Sequence, residues 1–160
     1  MKRRKQRVFG PAVMADKYLL DTSAFMAFLE KEPGGERVEQ LLEAAHRGEV
    51  EIFAAFASRM EILYLIEQEK GALELAKLKT LMPLWPAHWV HSDDPFCDSA
   101  AQIKARHRLS FADAFVAAAA VRVDATLIHK DPQFAFLTGL MKQEMLPPKT
   151  SSSPAICKQR

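Results

Sequence analysis

Residues 110–131 read SFADAFVAAAAVRVDATLIHKD, and this stretch decides the fold. Its first part, Ser110–Arg122, is small and apolar, with a run of four alanines, the best helix formers. The pattern predicts a core helix whose small side chains let it lie close against a sheet. The second part, ATLIHKD, is a short apolar run ended by charge, which predicts a strand. A buried helix feeding a buried strand is the unit of a parallel α/β sheet.

The same alternation recurs along the chain. Lys17–Asp21 and Val50–Phe56 predict two further strands, PAHWVHS (86–92) a third before the one already described, and KQEML (142–146) a short edge strand. Between them, Ser23 is expected to cap a helix carrying Phe25, Met26, Phe28 and Leu29. Helices are also expected over 36–46, from about 58 to 70, and over 72–82 and 94–107. In the helix after strand two, Met60, Leu63, Tyr64 and Ile66 are expected on the apolar side. The reading is α/β with a mainly parallel sheet.

The chain has 160 residues, enough for one domain with its own core. Its net charge of +2 conceals an asymmetry. Residues 1–13 carry five bases and no acid, and residues 141–160 carry four bases and one acid, so residues 14–140 stand at 2 − 5 − 3 = −6. An acidic body disfavours unspecific nucleic-acid binding but is compatible with a cation-binding carboxylate site. Residues 1–16 are expected to form a flexible basic extension, 17–147 the folded domain and 148–160 a disordered tail. No stretch approaches the ~18 apolar residues of a membrane helix. Two distant cysteines without metal-like spacing make a reducing cytoplasm the simplest setting.

Four acids fall where a parallel sheet collects its functional groups, at strand C-termini and the helix starts beside them. Asp21 ends strand one, Glu61 is expected in the first turn of the helix after strand two, Asp113 lies in the first turn of the helix opened by Ser110, and Asp131 follows strand four. Singly, each has an ordinary structural reading as a helix cap, a helix-dipole partner or a turn residue. Together these readings weaken. Two carboxylates about 4 Å apart repel by roughly 4 kcal/mol at an effective dielectric of 20, and a divalent cation reverses that sign. Oxygen-only donors suit Mg²⁺ or Mn²⁺.

The blocks YLLDTSAF, FAAFASRMEILYL, RLSFADAFVAAAAV and ATLIHKDPQF, in this order, resemble the four motif blocks of PIN-domain ribonucleases, and their spacing is similar to that of VapC-type toxins of type II toxin–antitoxin modules. The resemblance runs from about Lys17 to Pro147. It implies a three-layer α/β/α PIN-like domain with a four- to five-stranded sheet. It also implies an Mg²⁺- or Mn²⁺-dependent endoribonuclease. Asp21, Glu61, Asp113 and Asp131 stand at the positions of the family's catalytic metal acids, with Asp21 and Asp113 as direct ligands. Ser23 and Ser58 stand at its supporting polar positions. It implies a cognate small antitoxin, bound in a groove partly lined by Phe25, Met26, Phe28 and Leu29, and a homodimer built around Met60, Leu63, Tyr64 and Leu65.

Three positions depart from the pattern: His129 replaces a common Thr or Ser, Gln133 a common second acid, and Ala55 a frequent Ser. Among the cations in or near the blocks, Arg59, Lys104, Arg106, His107, Arg108, His129 and Lys130, most read as solvated surface charge. Arg108 and Lys130 are the expected RNA contacts. Two other readings stay open: a PIN-like RNA-binding domain with weak or no cleavage, and a non-catalytic α/β protein-interaction module.

Overall fold

A computed structural model describes residues 15–149. The expected basic extension falls largely in 1–14 and most of the expected tail in 150–160, outside the described residues. Five strands form, β1 (Asp16–Leu20), β2 (Val50–Ala55), β3 (Ala87–Val90), β4 (Thr126–His129) and β5 (Gln143–Met145). Six helices connect or precede them: α1 (Thr22–Leu29), α2 (Gly35–His46), α3 (Phe56–Lys70), α4 (Ala72–Leu81), α5 (Asp94–Arg106) and α6 (Phe111–Val123). The sheet order is β3-β2-β1-β4-β5, and every pairing is parallel.

The two-residue period of the strands sorts the core into two halves. Leu19 pairs with Leu127 and Leu20 with Ile128. Leu19 and Leu127 join Phe96, Phe115 and the α6 alanines on one face. Leu20 and Ile128 join Ile52, Phe25 and the buried side of α1–α4 on the other. The result is three layers, α/β/α. Helix α6 is buried along most of its length from Ala112 to Ala120, as the small-residue run requires. Helices α1 and α2 approach closely at Gly35, where a side chain would meet the Ala27 carbonyl oxygen at 2.5 Å.

Several local expectations are corrected. The N-cap of α1 is Asp21, not Ser23. Helix α3 begins at Phe56, two residues early, so Glu61 sits in the second turn rather than the first. Its buried side is Ile62 and Ile66, while Met60 and Tyr64 are exposed; the contacts with α1 and α4 turn the helix that way. A six-residue 3-10 segment, Pro132–Leu137, follows β4 and was not expected.

Candidate active site

Strand order reverses between β1 and β4, so the crevice outside their C-terminal ends is the topological switch point of the sheet. Asp21 lies there, 5% exposed, its N–H donating to the Ile128 carbonyl at 3.1 Å. Its Oδ2 accepts from the Ser23 hydroxyl at 2.8 Å and more weakly from the Ser23 N–H at 3.4 Å. The Ser23 oxygen accepts in turn from the Lys130 N–H at 3.0 Å. One hydroxyl therefore laces the end of β1 to the loop after β4.

Burial pushes the Asp21 carboxyl up to about 6, against the lowering effect of its hydrogen bonds, and the charge of Asp113 adds to the rise. Asp113 comes from the opposite layer, on the first turn of α6. It forms a capping box with Ser110: its N–H donates to Ser110 Oγ at 3.0 Å, and its Oδ2 accepts from the Ser110 N–H at 3.3 Å. Among the described residues Asp21 has no cationic side chain paired with it.

Glu61 reaches the same end of the fold from α3, where its Oε2 accepts from the Thr22 hydroxyl at 2.5 Å. Thr22 is not among the residues singled out from the sequence; its signal was the first hydroxyl of DTS, directly after Asp21. Asp131 caps the 3-10 segment, its Oδ1 accepting from the Gln133 N–H at 2.8 Å. Ser58 is fully buried, with its hydroxyl unpartnered among the described residues. Asp21, Thr22, Ser23 and Glu61 are thus joined by adjacent hydrogen bonds, and Asp113 lies near enough to act on Asp21 by charge. No group of three or more His, Cys, Asp or Glu is close enough to hold a metal ion among the described residues.

The cations divide sharply. Lys130 is 11% exposed and its ammonium pairs with Glu32 at 2.8 Å, within a part-buried contact rather than toward solvent. Arg59 donates to Met82 Sδ at 2.6 Å and lies 5.6 Å over the Trp89 ring. His129 is 1% exposed, and burial lowers its pKa. The neutral ring then donates from Nε2 to Gln143 Oε1 at 3.0 Å. It supplies no positive charge for a phosphate. Arg106 and Arg108 are exposed.

The PIN domain family matches residues 18–139. The chain belongs to the PIN domain family. Members of this family are generally nucleases. No curated protein matches the chain. Among solved structures, VapBC2 from Rickettsia felis, bound to a DNA fragment from their promoter, has a TM-score of 0.65 at 15% identity, covering 82% of this chain and 99% of that one. DNA-bound VapBC from Salmonella typhimurium has a TM-score of 0.63 at 17% identity, covering 81% and 98%. A toxin–antitoxin complex from Klebsiella pneumoniae has a TM-score of 0.58 at 19% identity, covering 76% and 93%. At these identities the likeness is one of fold. No helix among the described residues is long and apolar enough to cross a membrane.

Proposed function

We propose that this PIN domain is a metal-dependent endoribonuclease and the toxin of a type II toxin–antitoxin module. The observation that carries the reading is Asp21: a buried carboxylate at the switch point, pushed up to about 6, with a second carboxylate nearby and, among the described residues, no cationic side chain paired with it. Capping alone does not account for it, because a cap needs hydrogen-bond acceptors rather than a buried charge. Nor does the helix dipole account for Glu61, which stands in the second turn of α3.

The donors fit a hard divalent cation. They are carboxylate oxygens backed by hydroxyls, and Mg²⁺ is commonly held by one or two carboxylates with water and substrate phosphate completing its shell. In this reading Asp21 and Asp113 would hold Mg²⁺ or Mn²⁺, with Glu61 and Asp131 as the further acids of the site. The ion, when bound, activates water and neutralises charge on the phosphodiester. Ser23 orients Asp21, Thr22 orients Glu61, and the capping box orients Asp113. The cognate partner is a small antitoxin, as the likeness to a toxin–antitoxin complex supports. A second copy of the chain covers the exposed Met60 and Tyr64 of α3, and the setting is the cytoplasm.

The test is cleavage of RNA with Mg²⁺ or Mn²⁺, with and without EDTA, by wild type and Asp21→Asn. Asparagine caps a helix about as well as aspartate, so the variant removes charge and keeps the cap. The expected result is loss of cleavage together with loss of the Mg²⁺-induced rise in Tm. Equal activity in the two proteins would overturn the proposal. A second reading, RNA binding with weak cleavage, is favoured by one observation: three of the four acids are engaged at helix starts, Asp21 and Asp131 as N-caps and Asp113 as the capping-box partner of Ser110. RNA bound by wild type but left intact under every metal would establish it.

A further inference from the structure

Immediately before Asp113 the chain reads KARHRLSF, Lys104–Phe111. Arg106 ends α5, Arg108 lies in the link, and Phe111 is the first residue of α6, 69% exposed. An isolated exposed apolar side chain needs no explanation; the company of this one does. The link is braced, with the Lys104 ammonium donating to the Leu109 carbonyl at 2.9 Å. The Phe111 ring sits edge-on to Phe115, with centroids 5.0 Å apart. Phe115 is itself in edge contact with Phe56 and Phe96. Phe111 is therefore the outer end of an aromatic ladder rooted in the core, and its ring is held rather than free.

Two exposed guanidinium groups stand three and five residues from this ring, and Asp113 stands two residues beyond it. An exposed aromatic face anchored on the core, with exposed arginines a few residues away in the chain, is a combination suited to a single strand, with bases on the ring and backbone on the arginines. In a protein body that is otherwise acidic, this local basic character points to a polyanion rather than an apolar protein surface. A duplex does not fit as well, since its base faces are already covered by their neighbours.

We propose that Phe111 stacks on a base of unpaired RNA, with Arg106 and Arg108 on adjacent phosphates, and so guides the strand to Asp113. The proposal rests on the ribonuclease reading and narrows its substrate to single-stranded RNA. Phe111 positions the strand and does not touch the reacting bond.

The test is fluorescence anisotropy with a labelled unpaired RNA oligonucleotide and its duplex, in the Asp21→Asn background with Mg²⁺. Cleavage of the same RNA by wild type and by Phe111→Ala is followed in parallel. Phe111→Ala and Phe111→Leu are expected to weaken unpaired-RNA binding roughly tenfold, with Phe111→Trp restoring it and the salt dependence unchanged. Arg108→Ala is expected to reduce the slope of log affinity against log salt by about 0.7. Phe136→Ala, at another exposed phenylalanine, is the control and is expected to bind normally. Unchanged binding by Phe111→Ala, or an equal loss on duplex, would overturn the proposal. So would a change in sedimentation with RNA binding intact, which would assign Phe111 to a protein interface. Wild type that binds through Phe111 but never cuts would remove the nuclease reading alone. Cleavage by wild type that Phe111→Ala matches at sub-saturating RNA would remove the stacking role alone.

Discussion

Asp21 and Glu32 stand at opposite ends of α1, both withdrawn from water, and their acidities move in opposite directions. The helix dipole favours a negative charge at the N-terminus, where Asp21 sits, and disfavours one past the C-terminus, where Glu32 sits. Yet the Asp21 carboxyl is pushed up to about 6, while Glu32 is lowered, chiefly by hydrogen bonds from Lys130 and Lys149. A dipole contributes about 0.3–1 kcal/mol, and the rise of the Asp21 carboxyl from 3.8 to about 6 corresponds to about 3 kcal/mol. Burial and built-in cations therefore outweigh the dipole. One end of α1 holds a carboxylate closed by two lysines; the other holds a buried carboxylate with no cationic side chain paired with it among the described residues.

The strongest way to break the comparison is Asp21→Asn in metal-free protein. At pH 7.5 the variant is expected to be more stable than wild type by up to about 3 kcal/mol, measured by urea denaturation. The carboxyl is raised in the fold, so its cost is full above about 6 and disappears as pH falls below its ordinary value of 3.8. The two proteins should therefore converge only below about pH 3.8. A variant less stable than wild type at pH 7.5 would return Asp21 to a purely structural role.

Next comes Glu32→Gln, with the opposite sign. It leaves the Lys130 ammonium, 11% exposed, without its carboxylate, and a loss of about 1–2 kcal/mol is expected at pH 7.5. Glu32 is lowered in the fold, so its contribution is present above the ordinary glutamate value and lost as pH falls through the lowered one. Denaturation curves at pH 7.5 and pH 4 should show that gap shrinking. Thr22→Val removes the hydroxyl held by Glu61 and should cost about 1 kcal/mol, with weaker Mg²⁺ stabilisation read from Tm. The smallest effect is expected for Arg47→Ala, whose pair with Glu49 is exposed; its Tm should match wild type.

The central strands β1 and β4 were legible because each is a short apolar run closed by charge, and because the period of two forces Leu19 and Leu127 to one face and Leu20 and Ile128 to the other. Helix α6 was legible from its alanines and its Ser110 cap. The 3-10 segment over Pro132–Leu137 was not, since its three-residue turn leaves no periodic apolar pattern of its own. The exposure of Met60 and Tyr64 was missed because α3 carries apolar residues on several sides, and only its neighbours decide which side is covered. The sequence singles out the acids but not the side chains that pair with them. Thr22 with Glu61 spans 39 residues and Lys130 with Glu32 spans 98, and such pairings depend on how the layers dock.

The Ser23 hydroxyl that accepts from the Lys130 N–H joins residues 107 positions apart. In a growing polypeptide the first strand to emerge is the centre of the sheet, but its β4 neighbour, the loop that steadies Ser23, and Asp113 are all made in the last third of the chain. A wholly parallel sheet offers no early hairpin to hold β1 in wait. The nascent chain thus carries Asp21 long before it carries Asp113, and ribosome-bound fragments that stop short of residue 130 lack the N–H that steadies Ser23.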